Sequence, residues 1–276
     1  MEIYPLTITM HSAYKHLYKW WDDNGIPFYN DKHVLENTKP GAMALLIEPR
    51  SLLPEVYEYI EKNYNKFIYV FTHDSKLLKE LPNAKLIIWG GIWDSSDMDK
   101  DFSHPISMVA SQKGGSAVRI ARRDLAFELK GRIDTYGTFD GGERADTKTI
   151  YGKYPFSVVI ENHIDDWWIT EKICNCFANG CIPIYYGARK IDELFNKDGI
   201  IHAHSIEEVK QHVDYILEHA KEEYNKRIYA IEDNKILVKE YANFDNWFMS
   251  HYEKLLRGIY EAVDYYPILQ YGEIHS

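Results

Sequence analysis

FSVVIENHIDDWWITEKICNCFANGCIPIYYG, residues 156–187, holds two apolar runs separated by a polar loop and a helical pattern. Phe156 to Ile160 is rich in β-branched residues and stops abruptly at Glu161-Asn162, and Cys181 to Tyr186 is a second such run closed by Gly187. Between them Ile173, Cys176 and Phe177 recur at helical spacing, which predicts a helix over Thr170 to Asn179. Strand, loop, helix and strand in that order make a βαβ unit, and in such sheets ligands sit beyond the carboxyl ends of the strands. Glu161, Asn162, Thr170, Glu171, Lys172 and Gly187 all fall at that edge. Thr170 fits a helix N-cap, so the first-turn N–H groups and the helix dipole favour an anion in the crevice, and Lys172 adds a full positive charge. An acid such as Glu171 in the first turn also suits any capped helix, and the bare pattern is equally that of ordinary structure.

With 276 residues and 45% hydrophobic content, the chain is long enough for two modest domains or one large α/β domain with a real core. A formal net charge of −10 argues against nucleic acid or an anionic membrane as the main partner, while leaving room for a local basic pocket. Aromatic residues make up 14%, with 22 Tyr and 7 Trp, a composition common where sugar rings are stacked. Cys174, Cys176 and Cys181 form a C-x-C-x4-C pattern that lacks a fourth zinc ligand, so buried free thiols and a reducing compartment are expected. The N-terminal MEIYPLTITMHSAYKHLYKWW has no basic start ahead of an apolar core, and no run approaches the ~18 apolar residues of a membrane span. A cytoplasmic protein without a transmembrane segment is the expectation.

Along the chain, Ile3 to Met10 alternates as a strand and His11 to Trp21 reads as a helix ending at Asp22-Asp23-Asn24-Gly25. Ala42 to Ile47 is a buried strand closed by Glu48-Pro49-Arg50, Pro54 to Tyr64 a helix, Phe67 to Phe71 a strand closed by Thr72-His73-Asp74-Ser75, and Leu86 to Trp89 a further strand. Trp93 to Pro105 is polar and aperiodic and reads as a linker. A second unit follows, with a strand over Ile106 to Ser111, a basic amphipathic helix over Val118 to Leu129, a strand over Ile133 to Tyr136 and a Gly- and Asp-rich loop to Thr149. Beyond the opening βαβ unit, Gly199 to Ala203 is a strand, and Ser205 with Glu208 forms a capping box for a helix to about Glu223, with helical pieces to Leu256. The expected division is an N-terminal α/β domain over 1–104, a C-terminal ligand-binding α/β domain over 105–256 and a tail over 257–276.

The run Ile160-Glu161-Asn162, seven residues, then Thr170-Glu171-Lys172 and on to Ile182-Pro183-Ile184-Tyr185-Tyr186-Gly187 resembles the nucleotide-sugar signature of the α1,3/α1,4-fucosyltransferase family. Flanking segments are similar too. Arg122 lies seven residues before Leu129, as in the family's basic helix, and Arg132-Ile133-Asp134-Thr135-Tyr136-Gly137 resembles its R-x-D-x-[FY]-G strand. The good resemblance spans about Ser107 to Tyr229. In the first half, Ile47-Glu48-Pro49 sits where the family has an acidic E-x-P, and Phe71-Thr72-His73-Asp74-Ser75 resembles a shortened F-T-[YH]-x-x-D-S segment.

The resemblance implies two facing Rossmann-like domains, the GT-B type, with GDP-fucose held by the C-terminal one and metal-independent transfer with inversion at the sugar carbon. It implies a nucleotide-sugar donor and an oligosaccharide or glycoconjugate acceptor as partners, with no cofactor beyond the co-substrate. Arg122, Glu161, Asn162, Trp168, Thr170, Glu171 and Lys172 fall on the donor side, and Glu48 is the candidate general base, because inverting transfer needs one group to take the acceptor proton. Asp165-Asp166-Trp167-Trp168 is more acidic and bulkier than the family's usual loop, a departure expected to bear on which sugar is accepted. Other donors such as UDP-xylose therefore stay open. So do a metal-dependent D-x-D transferase through Asp97-Met98-Asp99 or Asp99-Lys100-Asp101, and a non-catalytic carbohydrate- or nucleotide-binding module. The missing anchor hints at a microbial or viral source.

Overall fold

Two all-parallel sheets, one behind the other in the chain, carry the architecture seen in the computed structural model, which describes residues 28–36 and 41–265. The strand and helix expected over Ile3–Met10 and His11–Trp21 lie outside the described residues. The first sheet has the order β1-β2-β3-β4, with β1 at Phe28–Asn30, β2 at Ala42–Leu46, β3 at Phe67–Thr72 and β4 at Ala84–Leu86. Between them run a short turn of helix, α1 (His33–Glu36), then α2 (Pro54–Asn63) and α3 (Ser75–Glu80).

β2 reads AMALL without a polar residue because both of its faces are covered. Strand alternation sends Ala42, Ala44 and Leu46 to a core with Val56, Tyr57 and Ile60 of α2, while Met43 and Leu45 join a second core that continues into the other half of the molecule. That second face is closed by the last described helix. The chain crosses back at Phe244, and Phe248 meets Phe71 of β3 edge-on with ring centroids 4.8 Å apart, while the Tyr252 hydroxyl donates to the carbonyl of Leu86.

The second sheet has the order β6-β5-β7-β8-β9, with β5 at Ile106–Val109, β6 at Asp134–Tyr136, β7 at Phe156–Ile160, β8 at Ile182–Tyr186 and β9 at Ile201–His202. Helix α4 (Ala117–Leu129) connects β5 to β6, and α5 (Glu171–Ala178) connects β7 to β8. The order reverses between β5 and β7, so the crevice for a ligand is expected outside the carboxyl ends of these two strands.

After β9, α6 runs from Ile206 to Leu237, past the expected end near Glu223. It breaks at His219, where φ is −124°, and resumes because Ala230 and Ile231 bury a second apolar stripe. Ser205 caps it through a bond from Glu208 N at 3.1 Å, but the Glu208 carboxylate accepts from His204 N, one residue earlier than a capping box requires. The last helix, α7, spans Phe244–Tyr265 and so continues through the start of the segment expected as a tail. Two further boundaries differ: β4 pairs at Ala84–Leu86, ahead of the expected Leu86–Trp89, and α3 starts at Ser75, the last residue of the polar stretch expected to close β3.

The polar segment between the sheets is irregular but tethered. Trp93 N donates to Asn175 Oδ1 at 2.8 Å, Asn179 Nδ2 donates to Asp94 O at 3.1 Å, and Lys100 Nζ reaches the Gly152 and Asn179 carbonyls. Cys174, Cys176 and Cys181 are buried free thiols. Among the described residues, no helix is long and apolar enough to cross a membrane.

Candidate active site

β7 ends in a buried carboxylate. Glu161 is fully buried, its N–H continues the ladder to Tyr186 O, Oε1 accepts from Thr170 N at 3.0 Å, and Oε2 accepts from Thr170 Oγ1 at 2.7 Å. The two ends of the long loop are thus tied together, and Thr170 is placed to cap α5. Lys172 Nζ completes the cluster, 2.9 Å from Thr170 Oγ1, 3.1 Å from Glu171 Oε1 and 3.5 Å from Glu161 Oε2. Burial raises the Glu161 pKa against the pull of Lys172. Burial opposes the charge of Glu171 also, but there Lys172 prevails and holds it below the usual carboxylate range. Gly187 is required by this closeness: a Cβ there would lie 2.7 Å from Glu161 Cγ and closer still to the Tyr185 hydroxyl.

Arg122 is buried on α4. Its Nη1 donates to Ile160 O at 2.8 Å, its Nε has no hydrogen-bond partner among the described residues, and burial lowers its pKa. Arg123 pairs with its neighbour Asp124 at 3.2 Å, whereas Arg119 lies in the first turn of α4, part-exposed, with Nη1 3.4 Å from Gly114 O. Ser116 joins the two loops that flank the switch point: it caps α4, accepting from Arg119 N at 3.2 Å, and donates to Asn162 O at 2.9 Å. Asn162 Oδ1 is buried without a hydrogen-bond partner among the described residues.

The first sheet presents its own carboxyl edge to this crevice. Ser75 N donates to Asp165 Oδ2 at 3.0 Å and the Ser75 hydroxyl donates to Asp165 Oδ1, while His73 packs on Trp168 with ring centroids 4.3 Å apart. Leu52 comes within 3.6 Å of the position a Cβ on Gly115 would occupy. At this edge the Glu48 side chain is exposed. Its N–H donates to Asp31 Oδ1 at 3.1 Å, and its carbonyl accepts from the Tyr57 hydroxyl at 2.8 Å. The next residues are braced by Arg50, bidentate to Asp74 at 2.8 and 2.9 Å and bonded to Glu61 at 2.7 Å. Burial pushes His73 down to about 3 and the Asp31 carboxyl up to about 7.

Sequence reasoning therefore located Glu48, Asn162, Thr170, Glu171 and Lys172 at the two facing strand edges. It also assigned Arg122, Glu161 and Trp168 to ligand contact, and the structure puts these three in the wall: Arg122 on a strand-end carbonyl, Glu161 with both oxygens occupied, Trp168 3% exposed against His73. Within the Asp165–Trp168 departure, Asp165 and Trp168 touch Ser75 and His73 of the first half, while Asp166 pairs with Arg189 and Trp167 lies under Lys190. Asp31, His73 and Ser75 were missed as site elements. The Asn30-Asp31 pair after Phe28-Tyr29 is the signal of a strand end that could have found the first of them.

A profile for glycosyltransferase family 10 (fucosyltransferase), C-terminal part, matches residues 104–250, more than half of the chain. The chain belongs to glycosyltransferase family 10. This family 10 chain is 30% identical over 64 residues to the α-(1,3)-fucosyltransferase FucT of Helicobacter pylori, a match that covers 23% of this chain and 13% of that protein. It spans, in that match, a small part of the relative's length. A crystal structure of an α1,3-fucosyltransferase with GDP superposes with a TM-score of 0.51 at 13% identity, over 78% of this chain and 77% of that one. The pneumococcal O-GlcNAc transferase GtfA, in complex with UDP and GlcNAc, superposes with a TM-score of 0.52 at 12% identity, over 88% of this chain and 59% of that one. At these identities the two superpositions establish the α/β fold with its two Rossmann-like halves, and nothing finer.

Proposed function

We propose that this chain transfers L-fucose from GDP-fucose onto a glycan hydroxyl, with inversion at the sugar carbon and without a metal or other cofactor. The observation that carries the reading is the opposition of two strand edges: a capped helix start with Lys172 on one, and an exposed carboxylate, Glu48, held by its backbone on the other. In a single displacement, Glu48 takes the proton of the acceptor hydroxyl as its oxygen bonds to the anomeric carbon from the face opposite the leaving group. The bond from that carbon to the diphosphate oxygen breaks, and the electron pair leaves with GDP. Lys172, Arg119 and the first-turn amides of α5 stabilise the charge that builds on the diphosphate. The family match favours the guanosine donor. Metal independence is supported by the engagement of one acid in each D-x-D pair, since Asp97 pairs with Lys235 at 2.9 Å and Asp101 accepts from the backbone and hydroxyl of Ser103.

Two measurements test it. Glu48→Gln is expected to lower turnover by about 10²–10⁴-fold with GDP-fucose binding retained. A thermal-shift panel of GDP-fucose, GDP-mannose, UDP-xylose, UDP-glucose and UDP-galactose should show stabilisation by GDP-fucose above the rest, with activity persisting in EDTA. Stabilisation by UDP-sugars alone, or full turnover in Glu48→Gln, defeats the donor or the base assignment respectively.

A further inference from the structure

Asp31 belongs to none of the motifs in the sequence, yet it is the one non-glycine residue among those described with a positive φ, +44°. That backbone region is disfavoured for residues with a Cβ, and Asp and Asn are among the few that enter it readily. The turn it makes has a specific result. Directly after β1, Asp31 N donates to Leu45 O at 3.0 Å, and Oδ1 accepts from both Ile47 N at 2.8 Å and Glu48 N at 3.1 Å. β1 has ended by this point, so the carboxylate takes over where a strand neighbour no longer supplies acceptors for β2. With the Tyr57 hydroxyl on the Glu48 carbonyl, the peptide groups on both sides of the Glu48 Cα are fixed while its side chain stays exposed.

We propose that Asp31 is a positioning residue for sugar transfer, its carboxylate aiming Glu48 at the acceptor hydroxyl through the Ile47 and Glu48 amides. The inference rests on the reading of Glu48 as the base. An ionised carboxylate accepts two amide hydrogens strongly, whereas a protonated one gives up part of that capacity. The groups that face Asp31 are Glu48 at the end of β2, His33 on α1 and Tyr57 on α2. Burial, opposed by the two amides, brings the carboxyl to about 7, so the clamp changes strength near neutral pH.

The test uses the full chain and three variants. Asp31→Gly removes the clamp and suits the positive φ, so its melting temperature does not fall for backbone reasons. Its turnover is expected to drop about 10- to 100-fold, the cost of misplacing a reacting group by about 1 Å, with the KM for donor unchanged. Asp31→Asn keeps an acceptor oxygen and tolerates the same φ. It is expected to recover part of the rate and to lose the rise in turnover through about pH 7 that ionisation of Asp31 is expected to give the wild type. Wild-type turnover and an unchanged rise in both Asp31 variants, with Glu48→Gln silent, overturn the inference and leave the base assignment standing. Full turnover in Glu48→Gln overturns the base assignment beneath it.

Discussion

Lys172 holds its ammonium among three oxygens, from Thr170, Glu171 and Glu161, and only 17% of its side chain is exposed. Its charge therefore serves two ends: it offsets a fully buried carboxylate at the base of the loop, and it faces the crevice where the diphosphate is proposed to lie. Lys172→Ala is expected to raise the donor KM and lower turnover together, because the charge acts in both ground and transition states. It should also lower stability by roughly 1–3 kcal/mol, since Glu161 loses the cation that offsets its burial. Donor kinetics and urea midpoints on the same preparation check both effects. A variant with intact kinetics and a lowered midpoint would reduce Lys172 to a structural role. Arg122 shows the same division from the other side, because the arginine singled out by the resemblance spends Nη1 on the Ile160 carbonyl and steadies the end of β7.

Asp165 ties the loop after β7 to the first turn of α3 through both of its oxygens, and Arg189 approaches the same carboxylate at 3.4 Å. These contacts couple elements from the two sheets, so Ser75→Ala and Asp165→Asn are expected to be non-additive. A double-mutant cycle should return a coupling of roughly 0.5–3 kcal/mol in unfolding free energy. Additive variants would mean that the bond adds nothing to the docking of the halves. The elements themselves were unequally legible. β2, β3, β5, β7 and β8 are apolar runs because parallel strands covered on both faces leave no polar alternation, and the E-N-x(7)-T-E-K spacing located the start of α5 for the same local reasons. β1 is three residues long, too short to show a period, β9 pairs over two of the five residues expected at Gly199 to Ala203, and α3 hides its Asp74 cap inside a polar strand end. The pairing of Ser75 with Asp165, and of Asp31 with Glu48, joins segments far apart in sequence, and no local pattern announces it.

Across the molecule, two buried groups pull the stability–pH curve in opposite directions. His73 stays neutral in the fold with its pKa near 3, so its contribution is present above the ordinary histidine value and is lost as pH falls toward 3. Asp31 titrates near 7 in the fold, so its contribution is present below the ordinary carboxylate value and is lost as pH rises toward 7. Between about pH 4 and 6.5 the slopes oppose each other. Asp31→Asn should therefore steepen the loss of stability on acidification, and His73→Gln should turn the curve so that stability falls with rising pH. Urea midpoints measured across this window decide it, and unchanged slopes in both variants would remove these two groups from the balance. The fastening of the halves has a further consequence for anyone who wishes to redesign the donor. The divergence of Asp165–Trp168 from the family's usual loop makes that stretch the obvious target for a saturation library, yet Asp165 and Trp168 are committed to Ser75 and His73 of the other half. Most members of such a library would be lost to poor assembly before selection could act on sugar preference. Diversity is better spent on Gln112 and Lys113, exposed ahead of α4 and free of that duty.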